Sequence, residues 1–458
     1  MSTLGTEERP LRVAIIGSGP SGFYAADALL KAEEATVVDM FERLPCPYGL
    51  VRLGVAPDHQ KIKNVIKVYD RIAVKPGFTY YGNVEFGKDM SLEDVKRHYD
   101  AVIFANGAQR DRNLGIPGED LSGSVPATAF VAWYNGHPDY RDLEFDFSHE
   151  TAVVIGQGNV AIDVCRILCK TVDELSTTDI AQHALDQLAE SKIRNVHMIG
   201  RRGPVQAKFS QVEIKEMGHL EDCNTVIDPA VFDFDPVSQV EYDDPGNKSA
   251  PKIVPIMKEL SESSVDGASR NLHIEFCKSP VEIHGRDRVE SIVLEKNALS
   301  GKPFNVKARG TGETEQVDCG LVLRSVGYRG VALPDVPFDE QRGVFPNENG
   351  RIITKNGQYD GLYVVGWIKR GPSGVIGTNK PDSGATVEQL LEDLPKLTPC
   401  ESPETALLLN ELNGRGVRLV SYDDWKLIDS EEMARGETVG KPREKYTRVS
   451  EMLGVLNN

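Results

Sequence analysis

Leu11–Gly22, LRVAIIGSGPSG, decides how the rest of this chain is read. Val13–Ile16 predicts a buried strand, glycines at 17, 19 and 22 predict a turn, and the apolar run FYAADALLKA predicts a helix behind it. G-x-G-x-x-G between a strand and a helix is the context in which that pattern carries a mechanism. Gly17 permits the tight turn and Gly19 lets the backbone approach a pyrophosphate. Gly22 lets helix and strand pack closely, with the helix N-terminus facing the phosphate charge. The triplet alone is a weak signal in a chain with 42 glycines, and an ordinary tight turn is the alternative. A second strand, 36–41, ends on Glu42, about twenty residues past the turn, where an acid accepts ribose hydroxyls and disfavours a 2′-phosphate.

The arrangement recurs. Thr151–Ile155 predicts a strand, followed by Gly156-Gln157-Gly158-Asn159-Val160-Ala161 and a helix, IDVCRILCK. Alanine in place of the third glycine opens slightly more room and suits NADP. Strand 195–199 then delivers Gly200-Arg201-Arg202-Gly203. Guanidinium groups fork onto phosphate, so this pair asks for a 2′-phosphate; a solvated surface pair is the alternative. Two dinucleotide sites of opposite ribose preference predict FAD in the first lobe and NADPH at the second, with hydride transfer to flavin N5 as their joint chemistry. Ala105-Asn-Gly-Ala108 and Ser325-Val-Gly-Tyr328 both end a strand on a glycine, which predicts two crossings between the lobes. The expected fold is α/β with two Rossmann-like lobes, the second inserted in the first. Residues 1–108 and 330–458 would form the FAD-binding domain and 109–329 the NADP-binding domain.

Length and composition agree with this. A chain of 458 residues exceeds one core, and 40% hydrophobic with 26% charged residues describes a soluble globular protein. The most apolar stretch, 153–169, is broken by Gln157, Asn159, Asp163 and Arg166, so no membrane span is expected. Glu7 and Glu8 precede the first strand, which predicts no signal or transit peptide and a cytoplasmic place. Seven cysteines are scattered without a Cys-x-x-Cys, which argues against a dithiol relay, a protein-held cluster or any metal site. Cys165 and Cys169, spaced i, i+4, read as small core residues. A net charge of −17 argues against nucleic acid and anionic membranes. A monomer is expected.

Leu44–His59 reads as a long Gly/Pro loop lying against something, followed by a helix over 61–73 and a strand over 79–87. Residues 171–191 read as an inserted helix. Eight acids between 221 and 251 predict an exposed loop, and alternation in 273–295 and 319–326 predicts a small antiparallel ribbon. Strand 361–366 opens onto Trp367–Thr378, and a helix over 383–394 would offer its N-terminal N–H groups to an anion or a flavin pyrimidine. The last sixty or so residues read as a helix–loop tail without legible chemistry.

The strings GSGPSGFYAA, PYGLVRLGVAPDHQKIKNV, GQGNVAIDVCRIL, GRRGP and VVGWIKRGPSGVIGTNK resemble the adrenodoxin reductase family of ferredoxin–NADP reductases, including its actinobacterial members. The resemblance runs from residue 13 to about 380 and implies a glutathione-reductase-like arrangement. It implies FAD contacts at Gly17, Gly19, Ser21, Gly22, Glu42, Leu50, Val84, Trp367, Gly374, Val375 and Ile376. It implies NADP contacts at Arg112, Gln157, Gly158, Asn159, Val160, Arg201, Arg202, Glu213 and Gly374. His59 and Glu216 match positions suggested to handle protons beside the flavin; a loop imidazole can shuttle protons, or simply be hydrogen-bonded in a packed loop. The implied activity is that of a ferredoxin–NADP(+) reductase, passing electrons from NADPH one at a time to a ferredoxin-type iron–sulfur protein. Mitochondrial members carry arginines after GRRGP that grip an acidic ferredoxin. Here QAKFSQVEIKEM offers Lys208 and Lys215, which with Lys61, Lys63 and Lys67 form a candidate basic face. Two rival readings stay open: an electron-input subunit resembling the small subunit of glutamate synthase, and a non-enzymatic NADP(H)-sensing flavoprotein.

Overall fold

The computed structural model describes residues 4–353, 357 and 361–457. In chain order the first strands are β1 (Leu11–Ile16), β2 (Thr36–Glu42), β3 (Phe78–Gly82) and β4 (Ala101–Phe104). The chain leaves through β5 (Arg110–Asp111) and builds β6 (Ser124–Pro126), β7 (Thr151–Ile155), β8 (Asn195–Ile199), β9 (Cys223–Val226), β10 (Arg270–Glu275), β11 (Lys278–His284), β12 (Ser291–Lys302), β13 (Asn305–Asp318) and β14 (Leu321–Arg324). It returns through β15 (Tyr328–Arg329) to β16 (Asn347–Glu348), β17 (Arg351–Ile352) and β18 (Leu362–Val364).

One sheet has the order β16-β17-β18-β4-β1-β2-β3 and the other β6-β14-β7-β8-β10-β9. β1 lies between β2 and β4, all parallel, and β7 lies between β8 and β14 in the same way. Each glycine turn therefore leaves the carboxyl end of a strand where the sheet's order reverses, the crevice in which open α/β sheets bind ligands. β18 pairs with β4 in parallel, so residues from after the excursion complete the first sheet. The two crossings pair with each other: β15 runs antiparallel to β5, Tyr328 opposite Asp111. Gly107 and Gly327 flank that ribbon at φ 69° and 110°, which only glycine adopts without strain.

Several expectations are corrected. Residues 270–275 and 321–324 belong to the parallel sheet, not to an antiparallel ribbon. The antiparallel sheet is β11-β12-β13, and its third strand carries no hydrophobic alternation because it is mostly exposed. Leu321–Arg324 is buried at every position, the mark of a covered parallel strand, which alternation cannot assign to a partner. The acidic region is not a plain loop. It contains β9 and a helix, Pro236–Asp243, whose cap Asp235 accepts from the N–H groups of Val237 and Ser238. These acids sit before prolines because a carboxylate caps a helix whose first residue needs no N–H partner. The helix expected over 61–73 breaks into Gln60–Lys63 and Ile66–Ala73, the strand expected over 79–87 is β3, and the inserted helix is two, Val172–Ser176 and Gln182–Ala189.

The helices that position the site are α1 (Pro20–Leu29), α2 (Asn159–Cys169), α3 (Gln211–Glu216), α4 (Asn379–Asp393), α5 (Tyr422–Thr438) and α6 (Val449–Val455). α4 begins four residues earlier than expected, at Asn379 instead of Ser383. The tail is not a loose appendage. α5 buries Trp425 and Ile428 and α6 buries Met452 in the core of the first lobe. Arg52 pairs with Glu432 at 2.6 Å, both almost wholly buried, and stacks over Trp425 at 4.9 Å. Between α5 and α6 the chain reaches the second lobe, where Lys441 Nζ donates to the Ile180 carbonyl at 3.2 Å and Lys445 Nζ to the Asn135 carbonyl at 3.2 Å.

Candidate functional site

A Cβ on Gly17, which sits at φ +108°, would lie 2.7 Å from the Ala105 carbonyl oxygen; one on Gly22 would collide with the Gly17 carbonyl, and one on Gly156 with that of Ser325. The middle glycines differ. A Cβ on Gly19 or Gly158 would meet nothing within 4 Å, so each leaves an open cradle at the start of α1 or α2. An unfilled space above a helix N-terminus fits a pyrophosphate. Ala161 stands fully buried where the second turn lacks its third glycine.

Glu42 is bound into the first turn. Its Oε2 accepts from Ser18 N at 3.1 Å and Ser18 Oγ at 2.6 Å, and its Oε1 accepts from Leu44 N at 3.2 Å. Each carboxylate oxygen takes about two donors, which leaves Oε1 capacity for a ribose hydroxyl. The 44–59 loop does lie against the turn: Tyr48 N donates to the Ser18 carbonyl at 3.0 Å, and a Cβ on Gly49 would stand 3.2 Å from Gly19 Cα. Leu50 follows, 37% exposed. From the other side Ser383 Oγ donates to the Ser21 carbonyl at 2.9 Å, and Gly366 abuts the Ser21 side chain. Gly366 N donates to Asp382 at 2.7 Å, which sets the start of the Trp367–Arg370 helix. Trp367 donates from Nε1 to the Ser373 carbonyl at 3.2 Å and leans on Tyr328 with ring centroids 5.2 Å apart. Gly374 and Val375 are exposed and Ile376 half-buried, just before α4. Val84 stands apart from this surface. Its side chain is 1% exposed in the core and its N–H donates to the Glu42 carbonyl, so a ligand contact would have to be made by its carbonyl.

In the second lobe Gln157 Nε2 donates to the Glu275 carbonyl at 2.8 Å, and Asn159 Oδ1 accepts from Ser210 N at 2.8 Å. These bonds tie the turn to β10 and to the start of α3, with Val160 half-buried beside them. Arg201 is exposed and Arg202 half-buried. Burial and the neighbouring Arg201 charge lower the Arg202 pKa. Two adjacent like charges of this kind are relieved by an anion. Arg112 is exposed just beyond the β5–β15 ribbon, where its N–H donates to the Gly327 carbonyl at 3.0 Å.

Between the lobes lies a cluster that sequence reading divided. His59 Nε2 is 2.7 Å from Glu216 Oε2 and 3.7 Å from Glu213 Oε2, so the residue expected at NADP joins the two expected to handle protons. Asp58, Asp163 and Arg166 complete it; they lie inside the quoted strings but carry no role there, and only the approach of α2, α3 and the loop brings them together. Burial opposes the charged imidazole, but its bond to Glu216 prevails and raises the His59 pKa. Burial and the facing Asp163 push the Glu213 carboxyl up to about 7. Burial also acts against ionised Glu216, yet His59 and Arg166 hold its pKa below the usual value. His59, Glu213 and Glu216 have metal-ligand spacing. The Arg166 guanidinium, 3.4 and 3.3 Å from the two carboxylates, already supplies the cation there.

A family model described as pyridine nucleotide-disulphide oxidoreductase matches residues 11–212. NADPH-ferredoxin reductase FprA of Mycobacterium tuberculosis (strain CDC 1551 / Oshkosh) is 45% identical over 98% of this chain and 99% of its own. The human mitochondrial NADPH:adrenodoxin oxidoreductase is 41% identical over 99% of this chain and 93% of its own. The solved structure of Mycobacterium tuberculosis FprA in complex with NADPH superposes with a TM-score of 0.92 at 43% identity, covering 98% of this chain and 100% of that one. The chain belongs to the adrenodoxin reductase-like ferredoxin–NADP reductase family.

This family member is an FAD- and NADP(H)-dependent oxidoreductase. Despite the wording of the matched model its seven cysteines are all free, five of them buried. Among the described residues no helix is long and apolar enough to cross a membrane. One residue of the expected basic face is withdrawn: Lys63 is 6% exposed and paired with Asp179 at 2.6 Å. Lys61, Lys67, Lys208 and Lys215 are exposed.

Proposed function

We propose that this reductase draws electrons from NADPH in its second lobe and passes them singly from the first to a ferredoxin-type iron–sulfur protein. The observation that carries the reading is the asymmetry of two matching turns: both leave an open cradle at the middle glycine, one beside Glu42 and the other before Arg201 and Arg202. Bound FAD supplies the conversion between the two-electron chemistry of NADPH and the one-electron chemistry of the partner. Residues 1–108 with 330–458 would hold it, through Gly17, Gly19, Ser21, Gly22, Glu42, Leu50 and the 367–376 turn. Val84 would contribute its carbonyl. Residues 109–329 would hold NADPH, with Gln157–Val160 around the pyrophosphate and Arg201, Arg202 and Arg112 on phosphate. Trp367 and Tyr328, in tilted contact at the crossing, would exclude water between the lobes. His59 Nε2 and Glu216 Oε2, 2.7 Å apart between the lobes, would share a proton there, with Glu213 poised to gain or lose its own near neutral pH.

Lys61, Lys67, Lys208 and Lys215 are the cations we assign to partner docking on an otherwise acidic chain. Lysine lacks the bidentate fork, so that docking weakens steeply with salt. Free, scattered thiols support a reducing cytoplasm. The test is to mix the FAD-loaded protein with NADPH anaerobically and follow the flavin absorbance, then add a ferredoxin and follow cytochrome c reduction. Bleaching followed by ferredoxin-dependent cytochrome c reduction is expected. A yellow protein that NADPH never bleaches would return the sensor reading.

A further inference from the structure

Arg166 sits on α2 at 1% exposure, and none of the cofactor motifs contains it in a binding position. Its Nε and Nη2 fork onto Asp58 Oδ2 and Oδ1 at 2.7 and 3.0 Å. Asp58 belongs to the first-lobe loop and immediately precedes His59. Nη2 also donates to Asp163 Oδ1, one turn back on α2, at 2.7 Å. Nη1 faces Glu213 Oε2 and Glu216 Oε2 on α3 at 3.4 and 3.3 Å. Lys170, just past the end of α2, stands 3.1 Å from Asp58 Oδ2. Tyr134, Tyr328 and Cys165 also feel this cluster, each kept neutral by burial, and Lys63 feels Asp58 from the first lobe.

Neutralising one buried guanidinium takes one carboxylate; this one faces four. The surplus acids are oriented by Arg166 more than balanced by it. A bidentate fork also fixes direction, which a point charge does not. The residue after Asp58 is thereby delivered with its Nε2 against Glu216, a residue of the other lobe. We propose that Arg166 is a positioning residue of the electron-transfer site: it docks the His59 loop of the first lobe onto α2 and α3 of the second and holds Glu216 in register with His59. This rests on the reductase reading above.

The test uses FAD-loaded full-length protein carrying Arg166→Met, Arg166→Lys or Asp58→Asn. The rate of flavin bleaching by NADPH is followed in a stopped-flow instrument from about pH 5.5 to about pH 9, spanning the imidazole range. Losing the cation raises the pKa of every group it faces, so Arg166→Met should shift the inflection upward by about half a unit or more. Its limiting rate should fall about tenfold or more through misplacement. Arg166→Lys should restore the inflection and leave the rate low, because charge returns without the fork. Asp58→Asn should lower the limiting rate with the KM for NADPH little changed. Wild-type rate and inflection in Arg166→Met, whatever its melting temperature, overturn the proposal. If that variant fails to fold, wild-type behaviour of Asp58→Asn overturns it instead. A wild-type flavin that NADPH leaves oxidised overturns the reductase reading together with this one, whereas a bleaching wild type beside unaffected variants overturns this one alone.

Discussion

Lys63 in the first lobe and Asp179 in the second form a buried ion pair, Nζ to Oδ1 at 2.6 Å and to Oδ2 at 2.9 Å, and Lys445 Nζ approaches the same carboxylate at 3.3 Å. One acid thus gathers a cation from the 44–63 region and another from the segment between α5 and α6. Removing one partner of such a cluster leaves uncompensated buried charge. Asp179→Ala should therefore destabilise the protein by about 3–5 kcal/mol, seen as a lower urea midpoint. Lys61→Ala, exposed and two residues away from Lys63, should leave that midpoint within about 0.5 kcal/mol.

The same cluster predicts a pH dependence. Burial lowers the Lys445 pKa from 10.5 to about 7, in spite of Asp179. Between those values the unfolded chain binds more protons than the folded one, so stability should rise with pH from 7 towards 10.5, by up to about 1.4 kcal/mol per unit. Urea midpoints compared at neutral and alkaline pH check this, and Lys445→Met should flatten the slope.

Arg201→Ala combined with Arg202→Ala should lower kcat/KM for NADPH a few hundredfold or more, and that for NADH far less, since hydrogen bonds to charged groups are worth about 1.5–3 kcal/mol each. Steady-state kinetics with both nucleotides measure the ratio. An equal fall for the two would remove the 2′-phosphate assignment.

Gly19 and Gly17 should separate cofactor binding from folding. Gly19 has an extended φ of −76° and open space where a Cβ would go, so Gly19→Ala should keep its melting temperature as apoprotein and lose FAD retention. Gly17→Ala places a Cβ 2.7 Å from the Ala105 carbonyl at φ +108°, and should lower apoprotein stability itself. FAD content and apoprotein melting curves of the two variants decide it.

Lys208→Glu with Lys215→Glu should raise the KM for ferredoxin and reduce its salt dependence, with bleaching by NADPH unchanged. Cytochrome c reduction across a salt series reads both effects.

What could be read from sequence was local. A buried strand, a glycine triplet and an apolar helix lie within about thirty residues of one another, and their geometry follows from φ angles and the space a Cβ would fill, so both strand–turn–helix units could be placed from sequence, with Glu42 and the Arg201–Arg202 pair near the ends of the next strands. Partners distant in sequence were not. Periodicity shows that Leu321–Arg324 is covered but not that its neighbour is β7, and a lysine in a helix reads alike whether it faces water, as Lys67 does, or an aspartate in the other lobe, as Lys63 does. Local patterning was enough to place two Rossmann-like lobes, each with its glycine turn. Long-range folding alone brings Asp58, Asp163, Arg166 and Glu213 around His59 and Glu216 and lets the tail strap the lobes together. Charge pairs of that kind form at the price of desolvation, which depends on burial by segments more than a hundred residues apart, and no window of sequence contains it.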